Sequence, residues 1–166
     1  MGTRNNGYNT GIASEYLVLS MLYRLGADAY MTMGNKKSVD IWIMKDGKPD
    51  ISIDVKSVRA SDSIPVGNVT PMDNHYVVFV IYNNEFELKY KNNEEGEMKF
   101  GEIIWPDFYI VPSKDVVEKR IKYELKAGGE RYNIFKKDIK DYKNNWEQLE
   151  LSKISVKVAH SETTME

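Results

Sequence analysis

The stretch from Val39 to Ser57, VDIWIMKDGKPDISIDVKS, carries two aspartates and a lysine in an order suited to metal chemistry. It reads as two short strands of alternating apolar residues joined by an Asp46-Gly47 turn, with Asp40 near the start of one and Asp54-Val55-Lys56 near the end of the other. Successive side chains of a strand point to opposite faces, so Ile51, Ile53 and Val55 share one face and Ser52, Asp54 and Lys56 the other. A five-residue loop from Lys45 to Pro49 pairs residues whose numbers sum to 94. That register sets Asp40 against Asp54 with Cβ atoms about 5 Å apart. Like charges directly opposite are destabilising unless something sits between them, and two carboxylates beside a lysine point to a divalent cation.

A third carboxylate comes from the segment before this hairpin. From Gly11 to Leu25 the sequence GIASEYLVLSMLYRL predicts a helix with Thr10 as N-cap and Gly26 as its C-terminal stop. At 100° per residue Ile12, Val18, Leu19, Leu22 and Tyr23 fall in one apolar arc, with Thr10, Ser14, Ser20 and Arg24 opposite, although Leu17 and Met21 intrude on the polar side. Glu15 falls in the middle of the apolar arc. A carboxylate facing a core needs a hydrogen bond, a paired lysine or a metal to be tolerated, so its placement there requires a partner.

A helix bearing Glu15, a strand bearing Asp40 and the triplet Asp54-Val55-Lys56 together resemble the PD-(D/E)XK nuclease superfamily, over roughly the first 60 positions. The stretches GIASEYLVLSMLYRLGADAY, SVDIWI and IDVKS are most similar to its archaeal Holliday-junction-resolvase and restriction-endonuclease-like branches. Asp54 stands where many relatives have Glu, and Ser57, Val58 and Arg59 follow the lysine where several have a Gln. Val39 replaces the proline of the superfamily's name. The resemblance implies an α/β fold with a mixed central β-sheet flanked by helices, a restriction-endonuclease-like core, and phosphodiester hydrolysis by Glu15, Asp40, Asp54 and Lys56. In that reading Asp40 and Asp54, with the Val55 carbonyl, hold Mg²⁺ or Mn²⁺ through hard oxygen ligands. Glu15 binds a second ion or orients a water. Lys56 positions or helps deprotonate the attacking water and stabilises developing negative charge. The plainer reading of Lys56 is a snorkelling side chain beside Asp54.

Composition limits the alternatives. A chain of 166 residues, 42% hydrophobic and 29% charged, suits one soluble globular domain, expected over 1–158, with a polar disordered tail at 159–166. The sequence has no apolar run long enough for a membrane span and no signal-peptide pattern, so a cytoplasmic location is expected. It has no cysteine and two histidines, His75 and His160, which excludes disulfides, thiolate zinc and a histidine-rich metal cluster. Any metal must bind through oxygen. His75 reads as a turn residue before a strand, with a phosphate contact as the other reading. The net charge of −2 argues against a purely electrostatic nucleic-acid binder, although residues 114–143 carry ten Lys or Arg against six Asp or Glu. Lys36, Lys37 and Arg59 flank the acids in sequence and are the candidate phosphate contacts.

The rest of the chain is expected to complete the sheet. A loop spans Ala60 to Asn74, and Tyr76 to Tyr82, YVVFVIY, reads as a central strand covered on both faces. A hairpin follows, with strands Glu85 to Tyr90 and Met98 to Trp105, then a short strand from Phe108 to Val111. Helices are expected from Ser113 to about Ala127, stopped by Gly128-Gly129, and from Lys136 to Leu149, with Ile139, Tyr142, Trp146 and Leu149 as a core stripe. The sequence thus points to a metal-dependent DNA endonuclease, with a catalytically inactive nuclease-fold module that binds nucleic acid or protein as the alternative. A chain with one site needs a second copy to cut both strands of a duplex at once, which allows for a homodimer.

Overall fold

Hydrophobic alternation and one tight turn build the centre of the molecule. The computed structural model describes residues 5–32, 39–59, 61–83, 91–92, 98–99 and 105–151. Helix α1 (Asn5–Arg24) leads into strand β1 (Asp28–Met31), followed by β2 (Ile41–Met44) and β3 (Ile51–Arg59). Gly26, at φ 80°, ends the helix. Its N–H donates to the Tyr23 carbonyl and that of Ala27 to the Leu22 carbonyl, a Schellman closure that Gly adopts without a Cβ penalty. The β2–β3 register pairs Ile41 with Ile53 and Ile43 with Ile51, the sum of 94 expected from the loop length. The loop is closed by the Lys45 N–H bonding to Asp50 Oδ1 at 3.2 Å, with Gly47 at φ 66°.

After β4 (Ser63–Pro65), strand β5 (His75–Tyr82) pairs in parallel with β3, and β8 (Asp107–Pro112) pairs antiparallel with β5. The main sheet runs β1-β2-β3-β5-β8, a mixed sheet in an α/β fold. Strand β5 sits inside it, with Val78, Val80 and Tyr82 in one core and Val77, Phe79 and Ile81 in the other. Burial on both faces is what its unbroken apolar run demands. The first core lies under α1 and takes Ile41, Ile43, Ile51, Ile53 and Val55 from the hairpin. The second lies under helix α2 (Ser113–Lys119) and a three-stranded antiparallel sheet, β4-β10-β9, formed with β9 (Ile121–Glu124) and β10 (Glu130–Phe135). No helix among the described residues is long and apolar enough to cross a membrane.

Several expected elements differ. α1 begins before Thr10, which is buried within it, and its core stripe is Thr10, Ser14, Val18 and Leu22. The two hydroxyl residues face inward because Ser14 Oγ bonds the Thr10 carbonyl at 2.7 Å and meets the Tyr82 hydroxyl at 3.1 Å. Tyr23, placed in the apolar arc by type, is 53% exposed. Within the expected loop from 60 to 74, strand β4 pairs with β10. The expected helix to Ala127 ends at Lys119, with Pro112 and not Ser113 as N-cap. Ser113 spends its hydroxyl on the Met72 backbone instead. Gly128 and Gly129, at φ 82° and 99°, form the turn of the β9–β10 hairpin where a helix stop was expected.

The last expected helix is two 3₁₀ helices, Lys136–Tyr142 and Trp146–Leu149, broken at Asn144 with φ 53°. The core role of its stripe stands: Ile139 and Leu149 are buried, and Trp146 packs on Phe108 with ring centroids 5.5 Å apart. Of the expected hairpin after β5, the strand from Glu85 to Tyr90 lies outside the described residues, and β6 (Lys91–Asn92), expected as loop, pairs with β7 (Met98–Lys99). The tail at 159–166 lies outside the described residues.

Candidate active site

The acids gather where the β2–β3 ladder ends. Asp40 stands one residue before β2 and is fixed from two sides. Its N–H donates to the Ile53 carbonyl at 2.8 Å and its Oδ2 accepts the Val55 N–H at 2.7 Å, while its carbonyl accepts from Thr32 N–H at 2.9 Å. A side-chain oxygen thus takes the place of the next backbone carbonyl, which holds the Asp40 carboxylate against β3. Asp54 follows Ile53 on β3, on the face away from α1, and is 2% exposed. Its Oδ1 accepts a hydrogen bond from Lys56 Nζ at 2.6 Å, the expected neighbour two residues along the strand.

The other oxygen, Asp54 Oδ2, is buried and has no hydrogen-bond partner. Burial, reinforced by the Asp40 carboxylate and opposed by Lys56, pushes the Asp54 carboxyl up to about 6. A buried carboxylate next to a second carboxylate, with one oxygen unsatisfied, is costly for the chain by itself. A divalent cation relieves both costs at once, so the residues present fit one. Mg²⁺ in particular is held by one or two carboxylates, with water and phosphate completing its shell.

Glu15 is half-buried at the edge of the helix stripe and not at its centre, because Thr10 and Ser14 take the core-facing positions. Its carboxyl is raised first by burial and then by Asp40, with Lys56 opposing. No three Asp, Glu or His groups among the described residues converge tightly enough to hold an ion. Val55 enters through its N–H, which Asp40 accepts. Arg59 is exposed at the end of β3, five residues beyond Asp54 and so on the other face, about 17 Å along the strand. It is not brought to the acids. Lys36 and Lys37 lie outside the described residues.

Two neighbours were not singled out from the sequence as site residues. His75 is the first residue of β5 and is 2% exposed, not a solvated turn residue. The parallel register sets it beside Ser52, whose Oγ lies 2.8 Å from His75 Nδ1. His75 Nε2 is buried without a partner, and burial pushes its imidazole below the usual range. Alternation alone places Ser52 on the Asp54 face. His75 required knowledge of which strand pairs with β3, and that pairing is long-range.

No protein-family model matches the sequence, and no curated protein matches it either. Among solved structures the fold is similar to that of a bacterial homing endonuclease, I-Ssp6803I, with a TM-score of 0.51 over 90% of this chain and 94% of that one, at 15% sequence identity. At that identity the likeness concerns the fold alone.

Proposed function

We propose that the chain is a metal-dependent DNA endonuclease of the PD-(D/E)XK type. The observation that supports this most is the unpartnered, buried Oδ2 of Asp54, with Lys56 on the other oxygen and the Asp40 carboxylate bonded to the next residue's N–H. A fold shared with a homing endonuclease fits the same reading. Asp40 and Asp54, with the Val55 carbonyl, would hold Mg²⁺ or Mn²⁺, with Glu15 beside them. Bound there, the ion supplies a Lewis acid for a phosphate oxygen.

The chain's own groups do the rest. Lys56, with its side chain 20% exposed, holds its ammonium against Asp54 Oδ1, where it can orient the attacking water and neutralise charge developing on the phosphate. Asp40 is rigid because its carboxylate and its backbone are both tied down. Such fixing keeps the acids in place before substrate arrives, which lowers the reorganisation needed at the reacting phosphate. Calorimetric titration with Mn²⁺ and plasmid nicking with Mg²⁺ or Mn²⁺ test the reading. Metal binding and nicking that both disappear in Asp54→Asn are expected. DNA binding without cleavage of any DNA form under either metal would replace the enzyme with a nuclease-fold binding module.

A further inference from the structure

The sheet face that carries Asp54 is closed on one side of the acids and open on the other. Over β5 and β8 it is buried, with Val77, Phe79 and Val111 inside the second core. Over β1 and β2 the same face presents Tyr30, Trp42 and Met44, which are 51%, 41% and 50% exposed. The register sets Tyr30 opposite Trp42, and Trp42 opposite Ser52. The two rings therefore occupy the cross-strand row of Ser52, next to that of Asp54, which lies two residues and about 7 Å further along β3 on the same face.

Their size and surroundings identify what they meet. Three half-exposed side chains offer on the order of 300 Å². That falls well short of the roughly 800 Å² that each partner commits to a stable protein interface, and it matches a patch of functional size. A substrate whose phosphate reaches Asp40 and Asp54 cannot extend over β5 and β8, because the second layer fills that side, so it must pass over the open side. Asp28, two residues from Tyr30 on the same face of β1, puts a carboxylate at the far end of the rings, while the Lys56 ammonium lies on the other side of the acids. This polarity turns a sugar-phosphate chain toward Lys56 and leaves the rings to the base. Bases within a duplex are stacked on both sides and expose only their edges, whereas an unstacked base has a free π-face to lay on an aromatic ring.

We propose that Trp42, with Tyr30 beside it, is the stacking shelf for one unpaired nucleobase of the DNA substrate, next to the phosphate held at Asp40 and Asp54. This inference rests on the nuclease reading and makes a locally unpaired or branched DNA the preferred substrate. Binding of three labelled DNAs is measured by anisotropy with Ca²⁺ present: a paired duplex, the same duplex with one unpaired thymine, and that duplex with the unpaired base removed to leave an abasic position. For wild type the unpaired base should tighten binding over both other forms. Trp42→Ala should weaken binding of the unpaired form by about tenfold or more, and should change the paired duplex by less than about twofold. Trp42→Phe, which keeps an aromatic face, should retain most of the affinity. An equal loss on all three DNAs, no loss, or a Phe variant that binds like the Ala variant overturns the shelf. So does a change in sedimentation showing that Trp42 joins two copies of the chain. Nicking by wild type without any dependence of binding on Trp42 would remove the shelf and keep the nuclease. Trp42-dependent binding of the unpaired form without metal-dependent nicking would do the reverse.

Discussion

Removing the charge of Asp54 should make the metal-free protein more stable, which is the opposite of what deleting an ion-pair partner usually does. The Asp54 carboxyl rises from its ordinary 3.8 to about 6, chiefly through burial. At about 1.4 kcal/mol per pKa unit, its ionised form costs the folded state roughly 3 kcal/mol at pH 8, an order-of-magnitude figure. An asparagine keeps the shape and avoids the charge, although its amide hydrogens meet the Lys56 ammonium, so a net gain of about 1–3 kcal/mol is expected. For a chain of this length that is a rise in melting temperature of roughly 2–10 °C. The folded state binds the proton more tightly than the unfolded one. The wild-type contribution is therefore fully present below pH 3.8, and is lost as the pH rises through about 6. The advantage of Asp54→Asn should accordingly be full at pH 8 and gone by about pH 4. Comparing variant with wild type at each pH removes the share of His75, whose lowered pKa acts with the opposite sign. Urea unfolding in EDTA reads these differences. Adding Mn²⁺ at a hundred times its dissociation constant should then stabilise wild type by about 2.7 kcal/mol and leave the variant unmoved. A variant less stable than wild type in EDTA at pH 8 would refute the reasoning, since it would mean that the Asp54–Lys56 pair outweighs the burial of the charge.

Three further outcomes follow from named contacts. Lys56→Ala should lower DNA cleavage by several orders of magnitude while leaving DNA affinity within about tenfold, because one charge among several contributes modestly to binding; equal losses in nicking and in anisotropy would make Lys56 a phosphate anchor only. Gly26→Ala should cost about 1 kcal/mol in urea unfolding, since φ 80° forces a side chain into the left-handed region at the end of α1, and no loss would mean that this helix end relaxes freely. Ser52→Ala combined with His75→Leu removes a buried polar pair together, which is expected to be nearly neutral or stabilising, while metal-dependent nicking falls if the pair serves the site; a loss of more than about 2 kcal/mol in the same unfolding assay would assign the pair to the fold.

The hairpin was legible because two local signals agreed: alternation fixed the faces of β3, and a Gly-containing turn fixed the loop length and hence the register. Strand β5 was legible from its apolar run alone. The helix face was misread because residue type stood in for environment. Ser14 was counted as solvent-facing although its hydroxyl is satisfied internally, and Tyr23 as core although its hydroxyl bonds the Ala29 carbonyl from an exposed position. From Ile121 to Ala127 the sequence suggested the continuation of a helix, with Gly128-Gly129 as its stop. The alternation of Tyr132 and Ile134 around a Gly-Gly turn, stabilised by pairing with β4, decided for strands. Pairings of that range are set by the whole core and leave no local mark.

The cost concentrated on β3 is itself informative. Native interiors leave few buried polar side chains unsatisfied. Among the described residues two buried side-chain atoms lack a partner, Asp54 Oδ2 and His75 Nε2. They do not fall in unrelated places: Ser52 binds His75, and Asp54 follows Ser52 by two residues on the same face. The surrounding strands bury isoleucines and valines completely and pair their backbones along the full length of β5, so the fold has ample means to fill this spot with an apolar residue. A sequence selected for stability alone would gain by placing Val or Leu at both positions. Keeping an aspartate and a histidine there, beside a second aspartate tied to β3 by two backbone bonds, fits the proposed reading, in which stability is traded for a fixed arrangement of oxygen ligands.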